Sequence, residues 1–235
     1  PFGSFFARND NVAIRAGYAA TLRFDTPLFL SARHAVTALI EQEQQSFNPI
    51  TADSIARSRE RLATALEYRL DFANKLFLSA ALRHDDNDAF DDFTTWRGAA
   101  SWKFGSLGGV ALRPHASVGT GVKLPTMFEQ FGVIPNFFTP NPSLRPETSF
   151  GWDAGLELAI LEGRAVLDVT YFRQTLENEI ETVFAPVWTA INRQGTSHRD
   201  GVEVTARWRP IEAFTLGLTY TYLDATEPDG TREIR

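Results

Sequence analysis

Six stretches of this chain alternate apolar and polar residues with period two, and in none of them does the apolar set hold a Lys, Arg, Asp or Glu. Period two puts successive side chains on opposite faces of an extended strand. In residues 11–25, Val12, Ile14, Ala16, Tyr18, Ala20, Leu22 and Phe24 form one set, and Arg15, Thr21 and Arg23 stand opposite. Residues 61–72, 75–85, 150–160, 165–172 and 214–222 read the same way. Weaker candidates are 28–41, 93–104, 109–121 and a long one over 188–208 that Gly195 and Gly201 are expected to bulge. Residues 52–70 have a helix-forming composition, but from Leu62 to Phe72 the apolar residues fall on every second position, so that half reads as strand. The expectation is an all-β chain of roughly ten strands.

Composition removes several classes. With 29 acidic against 23 basic residues the formal charge is −6, which disfavours a nucleic-acid partner. No stretch approaches the ~20 apolar residues of a membrane-spanning helix. Cysteine is absent, so disulfides, thiolate metal sites and cysteine nucleophiles are excluded. The chain opens at Pro1 with no leader pattern and reads as starting internally. There is no G-x-S-x-G elbow, P-loop or dinucleotide fingerprint, and His34, His84, His115 and His198 lack the i, i+4 spacing of a helical zinc site. An enzyme is not expected.

The connections decide between a soluble sandwich and a barrel in lipid. Residues 25–27, 73–74, 105–108, 162–163 and 209–212 read as tight turns, and between them fall long connections at 42–58, 86–92, 122–148 and about 182–187. Strict short–long alternation suits an up-and-down barrel in an outer membrane, with short periplasmic turns and long external loops. Phe24, Phe72, Trp102, Phe104, Trp208 and Phe214 lie beside short turns and Trp152, Tyr171, Tyr220 and Tyr222 nearer the long loops, as two interfacial girdles would. A charge facing lipid at the midplane costs ~2–4 kcal/mol, which accounts for an uncharged set. The opposite, charged set would then line a wet lumen. His34 and His84 on the apolar parity, and Pro114 inside 109–121, run against this pattern.

Residues 119–131 read GTGVKLPTMFEQF, residues 141–157 NPSLRPETSFGWDAGLE, residues 169–181 VTYFRQTLENEIE, residues 191–208 INRQGTSHRDGVEVTARW and residues 218–225 LTYTYLDA. In this order the series resembles the barrel of TonB-dependent outer-membrane receptors. The resemblance is specific from Gly119 to Ala225 and only compatible before that. It implies that 1–235 is part of a 22-stranded transmembrane β-barrel, without the plug domain or the C-terminal strands. It implies import of a scarce, bulky nutrient such as a ferric siderophore, haem or a cobalamin, with energy from the TonB complex through the plug. Outer-membrane lipid is the other expected partner. The alternative is a passive porin-like or adhesin barrel.

Three groups of side chains are candidates for a site. Phe128, Phe131, Asn136, Phe137 and Phe138 crowd the longest loop, which either packs on itself or contacts a ligand from outside. Arg69, Arg83, Arg97, Lys123, Glu157 and Asp168 fall on the lumen set, where they pair with one another or attract an anionic ligand or the plug. Asp86, Asp88 and Asp91 offer oxygen ligands for calcium, although the run lacks the Gly and terminal Glu of an EF-hand loop and also reads as a solvated acidic loop. No other cofactor is expected.

Overall fold

The structure is a computed structural model and describes residues 9–27, 31–49 and 55–232. In chain order it contains β1 (Asn9–Thr26), β2 (Ala32–Pro49), β3 (Arg57–Phe72), β4 (Leu76–Asn87), β5 (Phe93–Trp102), β6 (Gly105–Leu107), β7 (Val110–Lys123), the short helix α1 (Met127–Phe131), β8 (Phe138–Thr139), β9 (Glu147–Ile160), β10 (Ala165–Glu177), β11 (Ile180–Phe184), β12 (Trp188–Asn192), β13 (Thr196–Ile211) and β14 (Phe214–Thr226). Eleven of these strands form one antiparallel sheet in the order β1-β2-β3-β4-β5-β7-β9-β10-β13-β14, with β6 also on β7. Each strand of that path neighbours the next long strand, so the chain runs up and down. A second sheet, β11-β12-β8, stands on the long connections.

The register carries one set of side chains across the whole wall. Phe24, His34, Leu70, Leu78 and Ala100 are joined as successive cross-strand partners, and so are Leu156, Val169, Val204 and Tyr220. This outward set holds most of the exposed large apolar residues, such as Tyr18 at 72% and Leu22 at 65% exposure. On β9 it runs from Phe150 to Ile160, and ten steps of about 3.3 Å on a strand tilted by about 40° span roughly 25 Å of hydrocarbon. The opposite set is concave, since a single hollow is lined from β1 through β9. Leu66, Leu78, Leu156, Val169 and Leu218 therefore face out, and Arg69, Arg83, Glu157 and Asp168 face in, as the alternation requires.

The short turns between strands of the large sheet lie at one end. The links at 73–75, 108–109, 161–164 and 212–213 join neighbouring strands there, and Ala73, Asn74, Gly108 and Gly109 have the positive φ values that two-residue hairpin turns demand. The first link joins Thr26 to Ala32, and its residues 28–30, expected to begin the strand 28–41, lie outside the described residues. Several boundaries differ from the expectations. β2 continues past Glu41 to Pro49, paired to β1 and β3, and only 50–56 connect it onward; 50–54 of that link lie outside the described residues. Its outward residues there are Gln42, Gln44 and Ser46, so the apolar signal ends although the strand does not. Residues 105–107 form β6 rather than a turn, and the turn expected at 209–212 sits at 212–213, with a bulge between Trp208 and Ile211.

The strand expected over 188–208 is two strands, β12 and β13, broken at Gly195 with φ +100°. Gly201 does not bulge. It pairs in register with both neighbours, and its missing Cβ leaves room for the ring of Phe172. Residues 182–187, expected as a loop, are mostly the β11–β12 hairpin.

The residues that ran against the alternation are accommodated. His34 stacks on Phe24 at 4.7 Å, and its ring nitrogens lie 2.7 Å from the Tyr68 hydroxyl and 2.9 Å from Thr26 Oγ1. Both nitrogens are thus satisfied within the girdle. At Pro114 the missing N–H faces the flank where Phe104 N reaches Leu112 O, just past the last β5 pair, Ser101 with His115. No ladder bond is lost there.

Candidate functional site

The inner wall is a lattice of charges. Arg83 donates to Asp85 at 2.9 Å and to Glu41 at 3.2 Å, while Glu43 takes Arg15 at 2.8 Å and also Arg61. Arg69 pairs with Glu67, Glu157 accepts from Arg113 at 3.0 Å, and Lys123 meets Glu147 at 2.8 Å. Asp168 lies 2.9 Å from His115 Nε2 and accepts the Thr170 hydroxyl at 2.8 Å. His115 is on β7 and Asp168 on β10, so the imidazole crosses β9, which it does over Gly155, where a Cβ would collide with it. Mutual pairing therefore takes five of the six expected lumen charges. Arg97 has no ion-pair partner among the described residues and lines an open hollow of about 800 Å³ with Arg23, Asp25, Arg69 and Asp153.

The mouth is roofed by the connection from β7 to β9. Thr126 caps α1 reciprocally: its hydroxyl accepts the Glu129 amide at 3.1 Å, and the Glu129 carboxylate accepts the Thr126 amide at 2.7 Å. Arg59 of β3 donates to the Pro125 carbonyl at 2.8 Å while two other nitrogens hold Gln45 of β2. Arg57 lies over the Phe131 ring at 5.5 Å. The segment thus leaves β7, passes β5 and β4, and is pinned to β3 and β2. Behind it Phe138, Leu144 and Ala190 form a small core with Phe128, Ile134 and Ile180 packed against it. Asn141 donates to the Ala190 carbonyl at 2.9 Å, and Asn192 donates to Arg145 O and Asn178 O at 2.9 and 2.8 Å.

The five loop residues named from the sequence separate accordingly. Phe128 and Phe138 stack at 5.0 Å in the core, Phe131 sits beneath Arg57, and Asn136 takes φ +60° in a turn. Phe137 is 54% exposed. Its carbonyl accepts the Trp188 amide at 2.9 Å, which brings it to the end of the small sheet that carries the exposed rings of Phe184 and Trp188, 5.5 Å apart. Those two rings escaped the sequence reading because 182–187 had no strand signal. Arg59 escaped it as well, being one of several charges on its strand. The signal for the cap, T-x-x-E at 126–129, was present.

Glu179, between β10 and β11, is partly buried, which raises its pKa. The Ser197 hydroxyl and the Arg199 guanidinium beside it outweigh that and hold it below the ordinary carboxylate value. In the acidic loop the ligand atoms that converge are those of His84, Asp86 and Asp92. Asp88 lines the inner side near Arg59 and Arg61, and Asp91 is exposed outside that group.

A family model described as TonB dependent receptor-like, beta-barrel matches residues 2–234. The chain belongs to this family and is an outer-membrane protein. Among solved structures it is similar to the siderophore receptor PirA of Pseudomonas aeruginosa, with 19% identity, a TM-score of 0.69, and 92% of this chain on 43% of that one. It is similar to the hemophore receptor HasR of Serratia marcescens, solved with its hemophore HasA and heme, with 16% identity, a TM-score of 0.71, and 92% of this chain on 42% of that one. The alcaligin receptor FauA of Bordetella pertussis follows, with 15% identity, a TM-score of 0.64, and 97% of this chain on 42% of that one. The chain therefore spans less than half the length of these receptors.

Proposed function

We propose that this chain is barrel wall and external mouth of a receptor that imports a scarce, bulky nutrient, a ferric siderophore, haem or a cobalamin, with energy drawn from the TonB complex through a plug. The observation that carries the reading is the mouth: Phe184 and Trp188 on the small sheet, with Phe137 at its end, are exposed above a charged lumen. Exposed rings on a braced support can cover an apolar ligand face and slow its escape. PirA and HasR are, by name, receptors for a siderophore and a hemophore, which fits this ligand range.

Deleting 133–140 would remove Ile134 and Phe138 and collapse the roof. Phe137→Ala, Phe184→Ala and Trp188→Ala together leave that core intact. Ferric siderophores, haemin and cobalamin are supplied in turn to cells making the receptor. Uptake should depend on TonB, and the triple variant should bind its ligand about tenfold or more weakly at unchanged surface abundance. TonB-independent uptake would favour a passive barrel instead, and unchanged affinity would remove the three rings from the site.

A further inference from the structure

We propose that His84, Asp86 and Asp92 form a site for a divalent transition-metal ion on the outward wall of the barrel, at the level of the lipid headgroups. The inference does not rest on the import reading, because the site faces away from the lumen. His84 and Asp86 belong to the outward set of β4, directly above Leu78, Ala80 and Leu82, and Leu82 pairs with the exposed Trp96. Asp92 comes from the turn that leads into β5.

The ligand atoms of the three side chains lie within 4.8 Å of one another. His84 Nδ1 is 2.8 Å from Thr94 Oγ1, and a proton donated there leaves the Nε2 lone pair facing Asp86 Oδ1 at 3.3 Å. Holding the second ring nitrogen in a hydrogen bond is how proteins aim a metal-binding imidazole. One Asp92 oxygen accepts the Asn87 amide at 2.9 Å, which fixes the carboxylate and leaves its other oxygen for an ion. Metal–ligand distances of about 2.1 Å put tetrahedral ligands about 3.4 Å apart. His84 and Asp86 are 45% and 53% exposed and free to close by that amount.

The donor set chooses the metal. One imidazole with two carboxylates suits zinc or manganese, whereas calcium and magnesium take oxygen alone. Three protein ligands leave coordination positions open. These face the headgroup layer, where phosphate oxygens are available and where two uncompensated carboxylates would otherwise meet like charge.

The test uses the whole receptor, purified in a zwitterionic detergent, freed of metal and titrated with zinc by calorimetry. One zinc ion should bind per chain, and calcium should not compete. His84→Ala and Asp92→Asn should each weaken binding about tenfold or more, with β-sheet circular dichroism unchanged. Asp88→Asn and Asp91→Asn should bind as the parent does. Absence of zinc binding, full affinity in His84→Ala, or equal weakening by Asp88→Asn, which would mean diffuse attraction to an acidic loop, overturns the assignment.

Discussion

Lys123 and Glu147, the last residue of β7 and the first of β9, are cross-strand partners whose side chains meet at 2.8 Å where the mouth loop leaves and rejoins the wall. The same Glu147 oxygen accepts the Ile180 amide at 2.9 Å, so one carboxylate ties the wall, the roof loop and the small external sheet. Glu147 is 7% exposed. Removing it leaves a partly buried N–H and an ammonium without their acceptor.

Glu147→Ala should therefore loosen the roof by about 1–3 kcal/mol, and Lys123→Ala, whose own side chain is mostly exposed, by less than 1 kcal/mol. Hydrogen exchange of residues 124–146 and 180–192 reads both. Faster exchange confined to these segments in Glu147→Ala is the expected result, and equal exchange in the two variants would deny Glu147 this role.

Leu156→Arg places a charge at the middle of the outward apolar run of β9, where Leu156 pairs with Val169 and Pro114. Folding into liposomes should lose about 2–4 kcal/mol. Glu157→Arg, one residue on and facing the lumen, should lose only its contact with Arg113 and still insert. Equal yields for the Leu156→Arg variant and the parent would contradict the assignment of faces.

Gly155→Val fills the space over which His115 reaches Asp168. The imidazole must swing off the wall, and overpacking with loss of the bond should cost about 1–3 kcal/mol in detergent unfolding. Gly98→Ala is the control, because the atom closest to the added Cβ, on Val118, would be 4.0 Å away. A Gly155→Val protein as stable as the parent would show that the crossing imidazole contributes nothing.

The wall was legible because its two faces meet different solvents. Lipid excludes charge from Leu66, Tyr68 and Leu70, water accepts Glu67 and Arg69, and the contrast is written locally at period two. Where β2 rises past Glu41 both faces are wet, and the pattern fades while the strand persists. The roof was less legible for another reason. β8 has two residues and β11 and β12 five each, too short for a period, and they are held by Asn141, Asn192 and Glu147 reaching across the sequence. Motif residues at 123–147 thus signalled the family correctly, while their physical role as braces appears only in three dimensions.

On its outward set the sheet is uncharged down to the short turns but polar at its other rim, where Glu60, Asp86, Arg173, Glu177, Asp200 and Asp224 stand above the apolar band. To flip across the bilayer the wall would have to drag this collar through hydrocarbon, at about 2–4 kcal/mol for each cation and somewhat less for each carboxylate. The collar thus works as a ratchet stop. Once the barrel is in place with its short turns at the periplasmic face, this cost holds its orientation, and no energy source is needed to keep the mouth facing outward.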